Sequence, residues 1–153
     1  MQRSIWKPII FATLLCGTLD ILFAMILTLW RRKQIDGMLR FVASGPFPSA
    51  TDMGAAGSAL GLAVHFTLMA IMVTVFVISA RALPWLLDRP WLSGLIYGLV
   101  TYAILDLVVV PMRFPAAWPP STLSITTQLF AHIVLVGLPT AYIARRYLAP
   151  ARA

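Results

Sequence analysis

Glutamate is absent from the sequence, cysteine occurs once, histidine twice, and charged residues of all kinds make up only 11%. Without glutamate there is no H-E-x-x-H zinc helix, and neither a G-x-S-x-G elbow nor a glycine-rich phosphate loop is present. Hydrolytic and phosphoryl-transfer chemistry therefore lack their usual parts, and the chain is read as non-enzymatic. The single Cys16 excludes a disulfide framework, a CxxC redox pair and a four-thiolate metal site. It is not a lipoprotein cysteine either, since Leu15 stands before it where that processing wants a small residue, and the apolar run continues to Trp30. A cleaved secretory signal has an apolar core of only about 7–15 residues, so the first apolar segment is expected to be retained.

What the chain has in abundance is hydrophobic surface: 60% of its residues, with a mean hydropathy of +0.88. A bilayer core about 30 Å thick needs roughly 20 apolar residues of helix. Segments 8–30, 55–80, 92–111 and 122–144 each meet that length, and together they use most of the 153 residues. The expected fold is all-α, one four-helix integral membrane bundle in a single domain. Five tryptophans, Trp6, Trp30, Trp85, Trp91 and Trp118, fall at or just outside the segment ends, where indole rings prefer the headgroup level. Ten of the eleven prolines lie at ends or in links, and Pro139, the exception, is expected to kink the fourth helix.

The net charge of +7 sits in short connections at both ends of the bundle. Scattered in this way it suits anionic lipid headgroups and does not form the basic stripe of a nucleic-acid binder. Four spans put both termini and the 81–91 link on one side with seven basic residues, against five on the side of the 31–54 and 112–121 links. The excess favours cytoplasmic termini. In the longest link, residues 38–43 have the pattern of an amphipathic turn or two before Gly45-Pro46 breaks it. Gly57-xxx-Gly61 and Gly94-xxx-Gly98 are pairs that let helix backbones approach closely in lipid.

Each apolar segment carries one ionisable side chain: Asp20, His65, Asp106 and His132. At about 1.5 Å of rise per residue, Asp20, His65 and His132 all lie roughly 15 Å from the side of the 31–54 and 112–121 links, with Asp106 one to two turns nearer that side. Residues four apart share a helix face, and each of the four sits in a small or polar row, such as Ser124, Gln128, His132 on the last segment. A charged group facing mid-bilayer lipid costs about 2.5–3.5 kcal/mol on insertion scales, so these rows should turn inward and pair.

Three functions compete for that layer. Asp20, His65, His132, Asp106 and Gln128 could bind or pass a proton or a small solute, and Asp20, His65 and His132 offer the mixed nitrogen and oxygen donors of a divalent metal site. Alternatively the layer is polar glue in a structural or partner-binding subunit, fixing helix register with help from Tyr102 and Gln128. A third reading, less favoured because Asp20 shares the layer, is a haem b held between His65 and His132. The helix pairs echo one another, LDI at 19–21 against LDL at 105–107 and LAVHFTL at 62–68 against LFAHIVL at 129–135, as in transporters built from parallel repeats. A homo-oligomer or a partner membrane subunit fits the composition equally well.

The stretches GTLDILFA at 17–24, ALGLAVHF at 59–66, RPWLSGLIYG at 89–98 and AHIVLVGLPTAYIARR at 131–146 resemble small four-helix inner-membrane proteins of proteobacteria and, more distantly, YagU-like proteins. The resemblance spans nearly the whole chain. It implies a bacterial inner membrane and cytoplasmic termini but no activity. Asp20, His65 and His132 fall within the shared motifs, whereas Asp106 stands where the family pattern has no acid.

Overall fold

A computed structural model describes residues 4–149. It is all-helical, as expected, with no strand among the described residues. In hydrocarbon every backbone N–H and C=O must be satisfied within its own segment, and an apolar chain does this as a helix. Four helices are long and apolar enough to cross a membrane: α1 (Trp6–Trp30), α3 (Gly54–Ala82), α5 (Pro90–Arg113) and α6 (Thr122–Leu148). Between them lie α2 (Ile35–Ser44) and a single-turn α4 (Trp85–Asp88). The five tryptophans at the predicted ends are each at least half exposed.

Local sequence sets the boundaries. Pro90 opens α5, where its missing N–H costs nothing, and the Ser121 hydroxyl caps α6 by accepting from Ser124 N–H at 3.2 Å. At the end of α1, Lys33 N–H reaches back to Thr28 O, with Arg32 in the left-handed region at φ 56°. This is the Schellman closure with arginine where glycine is usual.

α6 is the common neighbour, packing against α1, α3 and α5, while α1 also packs on α3. α3 and α5 meet through Tyr97, whose hydroxyl donates to Met72 O and whose ring lies edge-on to Phe76 at 4.9 Å. The α5–α6 crossing is backbone against backbone. A Cβ at Gly98 would lie 2.6 Å from both His132 O and Ile133 Cα, and one at Gly94 2.8 Å from Leu138 Cα. The other glycine pair has a partner that the sequence does not identify: Gly57 and Gly61 receive the link between spans, with Ala50 O over the first and Leu39 O over the second. The amphipathic α2 therefore docks along the first turns of α3. Arg113 fastens its far end by donating to Gly45 O and, at 3.1 Å, to Ser44 O, while Phe114 packs on Phe41 at 4.4 Å.

Two features depart from the sequence reading. The third span runs past Pro111 to Arg113, and both α5 and α6 contain π-helical turns, Leu105–Val109 and Ala131–Gly137. Each ends two residues before a proline, Pro111 or Pro139. A proline removes one N–H and crowds the carbonyl four residues back. Widening the preceding turn to i→i+5 bonds, Val110 N–H to Leu105 O and Leu138 N–H to Ile133 O, keeps the helix continuous where a stop at Pro111 and a kink at Pro139 were predicted.

Candidate functional site

The four aspartate and histidine side chains within the spans form two pairs, one in each half of the chain. In the first half, His65 of α3 reaches α1, with Nε2 2.9 Å from Gly17 O and Nδ1 3.9 Å from Asp20 Oδ2. A carbonyl can only accept, so Nε2 carries the hydrogen and Nδ1 faces the carboxylate. Gly17 makes the approach feasible: a Cβ there would lie 2.6 Å from the ring of Phe66, which itself sits edge-on to His65 at 5.2 Å. The side chains of His65 and Asp20 are 12% and 27% exposed.

In the second half, His132 Nε2 lies 3.1 Å from Asp106 Oδ2, both side chains being under 15% exposed. His132 Nδ1 is 3.0 Å from Thr101 Oγ1, and that hydroxyl is in turn 3.0 Å from Gly98 O. Asp106 Oδ1 accepts from Gln128 Nε2 at 3.0 Å, while the buried Oδ2 has no aligned hydrogen-bond donor. Tyr102 stands edge-on to His132 at 6.1 Å. Asp106 and His132 both sit in π turns, where a widened helix re-aims its side chains.

The single hydrogen of Thr101 gives this pair two arrangements. Donated to Gly98 O, it leaves Oγ1 to accept from His132 Nδ1–H, and Nε2 then confronts the carboxylate and needs one further proton between them. Donated to His132 Nδ1, it leaves a neutral imidazole with Nε2–H beside an ionised Asp106, 3.1 Å from Oδ2 but not aligned on it. One hydroxyl rotation thus accommodates the gain or loss of a proton with every heavy atom in place.

Placed against the sequence reading, Asp20, His65, His132, Asp106 and Gln128 are all here, but not as one ligand set. His132 turns to Asp106 instead of closing a trio with Asp20 and His65. Among the described residues no three His, Cys, Asp or Glu side chains are grouped so as to hold a metal ion. Nor do the imidazoles suit haem, because Nε2 of each is already engaged, by Gly17 O in one case and Asp106 in the other. Asp106, which the family resemblance set apart, is a full member of the second pair. Thr101 and the Gly17 carbonyl went unread. Thr101 could have been found from its place three residues after Gly98, on the face that the glycine opens toward α6.

The site belongs to a multi-pass membrane bundle, which is as far as the architecture identifies the protein. Comparison with protein-family models, curated proteins and solved structures finds no match.

Proposed function

We propose that this protein binds and exchanges protons within the membrane at two aspartate–histidine pairs, Asp20–His65 and Asp106–His132. The observation that carries the reading is the division of labour on each imidazole: one nitrogen is held by a hydrogen-bond partner on the neighbouring span, and the other faces a carboxylate. An intramembrane pair built in this way has a place for one proton more than an ionised carboxylate and a neutral ring contain, and intramembrane acids and histidines are the usual parts of proton relays. The resemblance to proteobacterial inner-membrane proteins and the seven basic residues on the side of the termini against five opposite support placement in a bacterial inner membrane with cytoplasmic termini.

The competing role, polar glue between helices, is favoured by the fact that both pairs bridge neighbouring spans. Infrared titration of the purified protein in detergent, with nitrogen NMR of labelled histidine, separates the two. Under the proton reading both histidines and the two carboxyls give pH-dependent signals, Asp20→Asn and Asp106→Asn each remove one, and the variants remain folded. Signals that stay constant with pH, together with collapse of folding yield in Asp20→Asn and His65→Ala, would overturn it.

A further inference from the structure

We infer that the two pairs exchange protons with one aqueous face only, the face bearing α2 and the 114–121 link, and that the terminus-side half of the bundle is a closed apolar seal. This rests on the proton reading above.

The two halves of the bundle are packed differently. On the terminus side of the polar layer, Val73, Val77, Ala80, Ala141 and Ala144 are fully buried from α3 and α6. On the opposite side, α1, α2, the turn Pro48–Asp52 and α3 still bury Thr28, Ala43, Ala50, Gly57 and Gly61, but α5 and α6 have no buried residue in Leu105–Val109, Val110–Arg113 or Thr122–Phe130, where Asp106, Ser124 and Gln128 are partly covered. Polar groups in this mainly apolar terminus-side half are held locally: Cys16 Sγ lies 3.4 Å from Thr140 Oγ1, both residues being 0% exposed, the Tyr97 hydroxyl donates to Met72 O and the Ser93 hydroxyl to Leu86 O, while the Thr13 hydroxyl is buried without a partner among the described residues.

The loosely covered α5–α6 side of the link-face half also has the chemistry of an entry. α6 opens with the polar run STLSITTQ, residues 121–128, and Ser124, Gln128 and His132 follow one another at intervals of four on one face. Gln128 hands this row to Asp106 at 3.0 Å. The links on this face carry Arg31, Arg32, Lys33, Arg40 and Arg113 against Asp36 and Asp52. Such a positive mouth disfavours a free metal cation, whereas a proton reaches the layer by passing along hydroxyls and water. The route therefore selects the proton and ends at the layer. That is the arrangement of a proton-binding sensor or reservoir, and not of a through-channel.

The chain supplies its own probe, because Cys16 is its only thiol and lies one turn into the seal. Full-length wild type and Ser124→Cys are reconstituted in sealed liposomes and treated from each side with a charged, membrane-impermeant thiol reagent, and the labelled site is mapped by peptide mass. Cys16 should stay unlabelled from both faces until the protein is denatured, and position 124 should label from the link face only. Labelling of folded Cys16 from either face, labelling of position 124 from the terminus face, or none at position 124 would overturn the inference. Should the histidine and carboxyl signals stay constant with pH while the labelling pattern holds, the proton reading falls and takes the exchange with it. Titration signals with a failed labelling pattern remove one-sided access alone.

Discussion

Thr101→Val is the sharpest test of the hydroxyl switch, since it nearly preserves the shape of a side chain that is 4% exposed and removes one oxygen. In the proton-loaded arrangement Oγ1 accepts His132 Nδ1–H at 3.0 Å while giving its own hydrogen to Gly98 O. Valine leaves that N–H buried without an acceptor. An unsatisfied buried donor costs about 1–3 kcal/mol, more when charged, and about 1.4 kcal/mol is tenfold in an equilibrium, so proton affinity at Asp106–His132 should fall roughly five- to a hundredfold. The unloaded arrangement loses only an interhelical hydrogen bond, which in bilayers averages about 0.6 kcal/mol and reaches about 1.7. Stability in a denaturing-detergent titration should therefore change little while the titration of His132, followed by nitrogen NMR, moves well away from wild type. His65 is the internal control and should move less. An unchanged His132 titration, or equal shifts at both histidines, would refute the reasoning.

Gly98→Ala should destabilise the bundle by about 1–3 kcal/mol, because the new methyl meets backbone atoms of His132 and Ile133 at 2.6 Å; reversible unfolding in mixed detergent measures it. Outside the four membrane-spanning helices, the Arg40 guanidinium at 2.9 Å and the Gly37 N–H hold the Asp36 carboxyl below the usual range. A depressed carboxyl contributes stability above its unfolded pKa and loses it as pH falls through the folded one. The protection of α2 amides, corrected for the intrinsic pH dependence of exchange, should accordingly stay flat through neutral pH and fall in acid, and Arg40→Gln should diminish that acid-dependent step.

The spans were legible because hydropathy and length decide them: segments predicted at 8–30 and 55–80 lie within Trp6–Trp30 and Gly54–Ala82. Inward orientation of the ionisable groups was legible too, since the cost of a lipid-facing charge leaves few alternatives. Partner choice was not. Equal depth suggested that Asp20, His65 and His132 converge, but depth is one coordinate, and the pairing depends on which spans are neighbours and on the rotation of each about its axis. The echo of LDI with LDL and of LAVHFTL with LFAHIVL carried that information, for each Asp pairs with the His of its own half. The docking of α2 on Gly57 and Gly61 was hidden for a related reason: close-packing glycines say that a backbone approaches but not whose.

The prolines explain why the two halves are not copies, and they supply a final test. The first pair, on regular helices, stands 3.9 Å apart; the second, on π turns, stands 3.1 Å apart. A π turn acts like one inserted residue, rotating the downstream part of the helix by about 100° relative to a regular one. The turn at Ala131–Gly137 thus sets the angle between His132 and the seal formed by Val136, Thr140 and Ala141. Pro139→Ala restores an N–H that can bond to Leu135 O, removing the reason for the wide turn. If the proline holds the turn open, the variant should shift toward a regular helix, lengthen the His132–Asp106 contact and weaken proton binding at this pair while sparing Asp20–His65. Nitrogen NMR of both histidines reads the effect. A His132 signal identical to wild type would mean that the π turn is maintained by packing against Gly94 and Gly98, and that the proline merely tolerates it.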